Sequence, residues 1–113
     1  MNNLIKKYRD SETQKDWFVN YLRIHNEWND EKYIQMITLI RDIFLEFKES
    51  ELFPKDLVYF FSSDVDSIIG IVENNVFFNF IPEKYTKEEY YSLVEMRKKE
   101  LIDLRDNFFY GEF

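Results

Sequence analysis

The stretch 53–74 constrains the fold of this chain more than any other part of its sequence. Its apolar residues recur at steps of three and four, which predicts one amphipathic helix over 54–74. Pro54 suits the first helical position, because the N–H that it lacks would have no partner inside the helix there. A break near Ser62, among weak helix formers, is the alternative to one continuous helix. The apolar side that we expect at the centre of a core carries Leu57, Phe61, Val65, Ile68 and Val72.

One carboxylate interrupts that apolar side. Asp64 falls in its middle, whereas Tyr59 and Asp66 project from the opposite side of the predicted helix. Because an unpaired buried carboxylate is costly, we expect Asp64 to have a basic partner. Arg97, which lies on the apolar stripe of the last predicted helix, is one candidate for a structural buried pair. The alternative is that Asp64 faces a binding partner from a groove.

The composition predicts a single all-α domain over residues 1–113. The chain is long enough for a hydrophobic core, and its 45% hydrophobic and 19% aromatic residues exclude a disordered protein. Only two glycines and two prolines occur, which argues against the many tight turns of a β-sandwich or barrel. Periodicity predicts a compact bundle of about four main helices, roughly 11–25, 30–48, 54–74 and 86–109.

Capping signals mark two of the helix starts. An S-x-x-Q spacing from Ser11 and a T-x-x-E spacing from Thr86 are capping boxes, which open the first and last predicted helices. Residues 4–8 are expected to form a short turn that packs on the first helix. The apolar segment 76–81 is either a lone strand or an extended loop, and we predict the loop because a single strand has no partner in a helical domain.

The sequence has no motif that is typical of an enzyme or of a cofactor site. There is no cysteine, and the one histidine, His25, cannot build a histidine-based metal site. Gly70 and Gly111 are too far apart to form a phosphate-binding loop. A pair of carboxylates that meet only in space, as in glycosidases, is the enzymatic alternative. We therefore expect a protein that is not an enzyme and binds no metal or cofactor.

The chain is acidic, with a formal net charge of −7. This charge opposes binding to nucleic acid or to anionic lipid, and it favours either a basic partner or solubility alone. We see no apolar run that is long enough for a membrane span or a secretion signal. The expectation is a cytoplasmic protein that contacts neither membrane nor nucleic acid.

We predict an acidic patch for partner binding where the second and third main helices meet. An aromatic anchor among carboxylates is the composition expected of a binding hot spot for a basic protein. The alternative is an ordinary solvated face, which is the usual meaning of such charge runs. The residues assigned to partner binding are Glu46, Glu49, Glu51, Asp56, Tyr59 and Asp66.

Three motifs occur in order along the chain: W-N-D-E-K-Y from Trp28, F-P at Phe53, and R-D-N-F-F-Y-G-E from Arg105. Over about 28–112 this order resembles the small acidic immunity proteins of bacterial polymorphic-toxin and contact-dependent growth inhibition systems. The resemblance implies a protein that binds a cognate toxin domain, often a basic nuclease such as an RNase, and occludes its active site or substrate surface. It assigns no individual contact residue. The alternative function is a structural or adaptor protein, with homodimerisation through the surplus aromatic residues.

Overall fold

A computed structural model of the protein describes residues 3–50 and 52–111, and these residues form helices and turns with no strand. The predicted all-α class is confirmed. Along the chain the structure has α1 (Asn3–Glu12), α2 (Phe18–His25), α3 (Asp30–Phe47), α4 (Lys55–Tyr59), a π-helical turn (Phe60–Asp64), α5 (Val65–Glu73), a 3₁₀ turn (Phe77–Asn79) and α6 (Lys87–Tyr110).

The predicted central helix is confirmed as one helical run from α4 through the π-helical turn to α5. Every residue of the predicted apolar side is buried, and α5 packs against both α2 and α6. None of the described helices combines the length and the apolar character needed to cross a membrane. The residues that place this run in the core are Leu57, Phe60, Phe61, Val65, Ile68 and Val72.

The middle of this run is neither a regular α-helix nor a break. The backbone N–H of Val65 donates to the carbonyl oxygen of Phe60, which is the five-residue step of a π-helix. The Ser62 hydroxyl donates to the carbonyl oxygen of Val58 at 2.7 Å, a side-chain bond that competes with regular helical pairing. The wider turn buries the consecutive residues Phe60 and Phe61 completely.

The N-terminal prediction needs correction. Ser11 does not open a helix, because it lies in the last turn of α1, and α2 begins only after Trp17. The side chain of Asn20 donates to two carbonyl oxygens of the connection, at 2.8 and 2.9 Å, and so fixes the turn between the helices. The capping box predicted at Ser11 is therefore wrong.

Residues 4–8, predicted as a short turn, belong to the ten-residue helix α1. Ile5 and Tyr8, which are one helical turn apart, are both buried, and α1 packs on α3. Burial of this small apolar face explains why the segment is a full helix.

At the other end of the chain the capping prediction is confirmed. The Thr86 hydroxyl accepts from the backbone N–H of Glu89 at 3.1 Å, and the Glu89 carboxylate accepts from that of Thr86 at 2.8 Å. Gly111 ends α6 in the left-handed conformation, at φ 70°. The segment 76–81 is a loop, as predicted, but it is not extended, because a 3₁₀ turn at its centre buries Phe77.

Candidate functional site

Of the predicted partner-binding residues that the structure describes, two come together in one groove. Asp56 and Tyr59, both on α4, line a groove between α4 and α1. Glu46 and Glu49 are exposed at the C-terminal end of α3 and do not line this groove. Glu51 lies outside the described residues.

Asp66 faces a different part of the surface. It lies on α5, where its carboxylate accepts from the Arg105 guanidinium of α6 at 3.0 Å. Its side chain is 68% exposed, as the predicted solvent side requires. An ion pair this exposed contributes little to stability, and it joins α5 to α6 rather than to the groove.

The groove between α1 and α4 has a volume of about 730 Å³. Helix α1 contributes Tyr8 and Glu12, which face the same way because they are four residues apart. An ion pair between Arg9 and Asp56, at 2.7 Å, joins α1 to α4 beside it. The complete lining consists of Tyr8, Glu12, Phe53, Lys55, Asp56, Val58, Tyr59 and Ser62.

Two tyrosines of the groove differ sharply in exposure. Tyr59 is 55% exposed and presents its ring to solvent, whereas Tyr8 is only 2% exposed. The Tyr8 ring packs edge-on against Trp17, with 5.6 Å between the ring centroids. The Tyr8 hydroxyl is buried and makes no hydrogen bond within the part of the chain that the structure describes. A buried polar group without a partner is rare in folded proteins.

The charges of three carboxylates act on the Tyr8 hydroxyl. Burial is the first cause that raises the pKa of Tyr8 far above its ordinary value, and the nearby charges of Asp64, Glu12 and Asp56 raise it further. The hydroxyl therefore keeps its proton at any physiological pH. Two of these carboxylates, Glu12 and Asp56, line the groove together with Tyr8.

Asp64 is buried and does not line the groove, and its predicted pairing with Arg97 is wrong. Asp64 is 6% exposed, and no hydrogen bond or ion pair joins it to another described residue. Burial raises the pKa of Asp64 to about 6, while the charge of Arg23 on α2 opposes that rise and the charge of Glu12 adds to it. At neutral pH the carboxylate is therefore mostly ionised and only distantly compensated.

Arg97 instead joins α6 to the start of α3. Its guanidinium donates to both carboxylate oxygens of Asp30, at 2.8 and 2.9 Å, and approaches Glu100 at 3.4 Å. The Trp28 ring nitrogen also donates to Asp30, at 3.1 Å. Such a fork geometry favours arginine with a carboxylate. Asp30 rather than Asp64 is thus the main partner of Arg97.

The groove lining combines two carboxylates with one lysine, and Arg9 pairs with one of the two carboxylates. No group of three or more histidine, aspartate or glutamate side chains in the ranges 3–50 and 52–111 is placed to hold a metal ion. Glu12 is half-buried on the groove wall and has no ion-pair partner among the described residues. The Glu12 carboxylate is therefore available to a donor from outside the chain, whereas the Tyr8 hydroxyl and the Asp64 side chain are buried.

Tyr8 and Glu12 were not predicted as site residues. The signal that identifies them is their four-residue spacing within α1, and this spacing has meaning only once the segment is recognised as a helix.

When this chain is compared with models of protein families, with curated proteins and with solved structures, nothing matches it.

Proposed function

We propose that this protein is an immunity protein that neutralises a basic toxin domain, such as a nuclease, by binding it directly. The observation that supports this most strongly is the exposed Tyr59 beside the carboxylates Asp56 and Glu12 in an open groove. Exposed aromatic rings with neighbouring polar groups are typical anchors of protein–protein interfaces. The net charge of −7 and the sequence resemblance to immunity proteins support the same proposal.

The mechanism is occlusion. A nuclease binds the phosphates of its substrate with lysine and arginine side chains, so its active-site surface is positive. The carboxylates of this chain take the positions that substrate phosphates would occupy, and Tyr59 anchors the contact. Opposite net charges also speed the encounter of the two proteins, by roughly ten- to a thousandfold at low salt.

The test is a binding and protection experiment with the toxin domain encoded next to the gene for this protein. We expect co-expression to protect cells from that toxin. The purified pair should associate quickly in low salt and more slowly in high salt, because exposed charges are screened over about 8 Å at physiological ionic strength. Absence of both protection and complex formation would refute the proposal.

A second candidate function is that of an adaptor that forms a homodimer. One observation favours it: Phe80 and Tyr91 are 61% and 51% exposed. The half-buried Phe78 packs on Tyr91, with 5.1 Å between the ring centroids, so these two rings share one surface, and Phe80 follows two residues after Phe78. Sedimentation of the purified chain across a range of concentrations tests this candidate, which requires a mass that rises with concentration.

A further inference from the structure

Helix α3 buries one side and leaves the other side exposed along its whole length. The buried side supplies the core, whereas Ile34 and Leu45 on the outer side are 45% and 62% exposed. These two residues are about three helical turns apart, so they lie on one line along the helix. Thr38 lies between them on the same line and is also exposed. The outer side of α3 therefore carries a stripe of apolar side chains that are accessible to a partner.

Carboxylates accompany this stripe. The residues concerned are Glu31, Asp42, Glu46 and Glu49, of which the last lies in the turn directly after α3. All four are exposed, and none makes an ion pair or a hydrogen bond with another described residue. Two of them, Glu46 and Glu49, are residues that the sequence assigns to partner binding. The outer side of α3 thus combines apolar contact area with unpaired negative charge.

The cations of α3 itself do not neutralise this charge. Lys32 and Arg41 are bound to carboxylates of other elements, at 3.6 and 3.1 Å. Lys48, at the C-cap of the helix, is the one remaining cation of this segment, and it makes no ion pair among the described residues.

The neighbouring helices do not neutralise it either. Lys7 of α1 lines a concavity that Asp42 also lines, but the two residues make no ion pair. Lys99 of α6 lies with Asp103 in a second groove beside α3, so their charges offset each other. Lys55 of α4 lines the groove between α1 and α4 instead. Even with the free lysines of α1 and α3 counted in full, four carboxylates against two cations leave the outer side of α3 negative.

The helix gains no stability from this arrangement. Asp42 and Glu46 are four residues apart and Glu46 and Glu49 are three apart, and like charges at these spacings destabilise a helix. Glu46 lies in the last turn of α3, where the negative end of the helix dipole disfavours a carboxylate and where no basic residue occurs. The placement of these carboxylates therefore favours a role in binding over a role in folding.

A basic amphipathic helix has the chemistry that matches this side of α3. Its apolar side chains would pack along the stripe from Ile34 to Leu45, which extends over about 16 Å at 1.5 Å per residue. Lysine or arginine side chains beside them would pair with the carboxylates. A second copy of this chain does not match, because a symmetric contact would bring the same carboxylates together.

We infer that the outer side of α3 is a docking surface for a basic amphipathic helix of the partner protein. The inference rests on the proposed function, because it names the part of a basic toxin domain that this surface holds. Apolar side chains of that helix lie against Ile34 and Leu45, and its cations pair with Asp42, Glu46 and Glu49.

The direct test is a titration of the full chain with a synthetic amphipathic helix of leucine and lysine that has the length of α3, 18 residues. A peptide with the same composition in scrambled order is the control for amphipathicity, and one with glutamate in place of lysine is the control for charge. We expect changes in NMR amide shifts that are confined to α3 and the turn after it. Both control peptides should bind at least about tenfold more weakly.

Two double variants with the same change in charge test the carboxylates. Glu46→Gln with Glu49→Gln should weaken the basic peptide about fivefold, the scale of two exposed charge contacts. Glu83→Gln with Glu88→Gln removes two exposed carboxylates at the start of α6 and should leave the affinity within about twofold. The melting temperature of the first variant should equal or exceed that of the wild type, because like-charge repulsion in α3 is relieved. A structural role of these carboxylates would lower it.

Leu45→Ser tests the apolar stripe without a change in charge. It should weaken the basic peptide about fivefold, the scale of burying about half of a leucine side chain.

Several results would overturn the inference. Equal binding of either control peptide would remove the requirement for a basic amphipathic helix. Shifts outside α3, or equal losses in the two double variants, would place the contact elsewhere. A sedimentation mass that rises with concentration for the wild type but not for Leu45→Ser would assign this surface to a second copy of the chain.

The same variants separate this inference from the proposed function. If the toxin domain binds the wild type and the two double variants equally, the immunity function stands and the inference about α3 fails. If the basic peptide binds on α3 but no toxin domain is bound or neutralised, the proposed function fails and α3 remains a docking surface for basic helices.

Discussion

Replacement of Asp64 by asparagine should stabilise this protein at neutral pH. Burial raises the pKa of Asp64 from 3.8 to about 6, so the folded chain holds the proton more tightly than the unfolded chain. Because one pKa unit corresponds to about 1.4 kcal/mol, ionised Asp64 costs the folded state roughly 3 kcal/mol. Asparagine is neutral and nearly the same shape. We expect Asp64→Asn to raise the free energy of unfolding by roughly 2 to 3 kcal/mol at pH 7.

The stability difference between the wild type and Asp64→Asn should depend on pH in a direction that can be checked. Since the folded-state pKa is the higher one, the stability that Asp64 contributes as a neutral acid is fully present below about pH 4 and is lost as the pH rises through about 6. The difference between wild type and variant should therefore be small near pH 4 and reach its full size above pH 6. Urea unfolding followed by tryptophan fluorescence across this range measures it.

Asp66→Asn is the matched control, since Asp66 lies two residues away and is 68% exposed. It should change the free energy of unfolding by no more than about 0.5 kcal/mol at any pH in this range. A loss of stability in Asp64→Asn at pH 7 would refute the reasoning, because it would mean that Asp64 neutralises a buried positive charge.

Three further substitutions test other parts of the structure by urea unfolding or thermal melting. Tyr8→Phe removes a buried hydroxyl without a partner and should be neutral or stabilising by about 1 kcal/mol; a clear loss would show that the hydroxyl is bonded. Arg97→Ala removes the only ion-pair partner that Asp30 has among the described residues and should cost about 3 kcal/mol, whereas Lys99→Ala, exposed on the same helix, should be nearly neutral. Thr86→Ala removes the N-cap of α6 and should lower stability by about 1 kcal/mol, and an unchanged melting temperature would contradict the capping box.

The central helix could be predicted because one local period governs it. The stripe from Leu57 to Val72 fixes both the helix and its buried side, and tertiary packing agrees with it. The π-helical turn could not be predicted from the spacing of apolar residues. That spacing does not indicate which carbonyl oxygen accepts the hydrogen bond from the Ser62 hydroxyl.

The N-terminal error arose from two competing local signals. The capping-box spacing at Ser11 and the apolar spacing of Ile5 and Tyr8 predict different helices, and burial of that pair against α3 decides between them. The α1 side of the groove was missed as a result, because Tyr8 and Glu12 come from the helix that was not recognised. The partner of Arg97 could not be predicted either, because the apolar pattern of one helix does not identify which neighbouring helix packs against it.

The buried carboxylate of Asp64 lies close along the chain to one residue of the groove lining. Asp64 ends the π-helical turn, and the groove residue Ser62 lies two positions before it in the same turn. An apolar residue at position 64 would avoid the free-energy cost of burying an ionised carboxylate. The requirements of the fold alone therefore do not explain why position 64 is an aspartate. Binding sites commonly keep groups that are poorly satisfied in the free protein and become satisfied by the ligand.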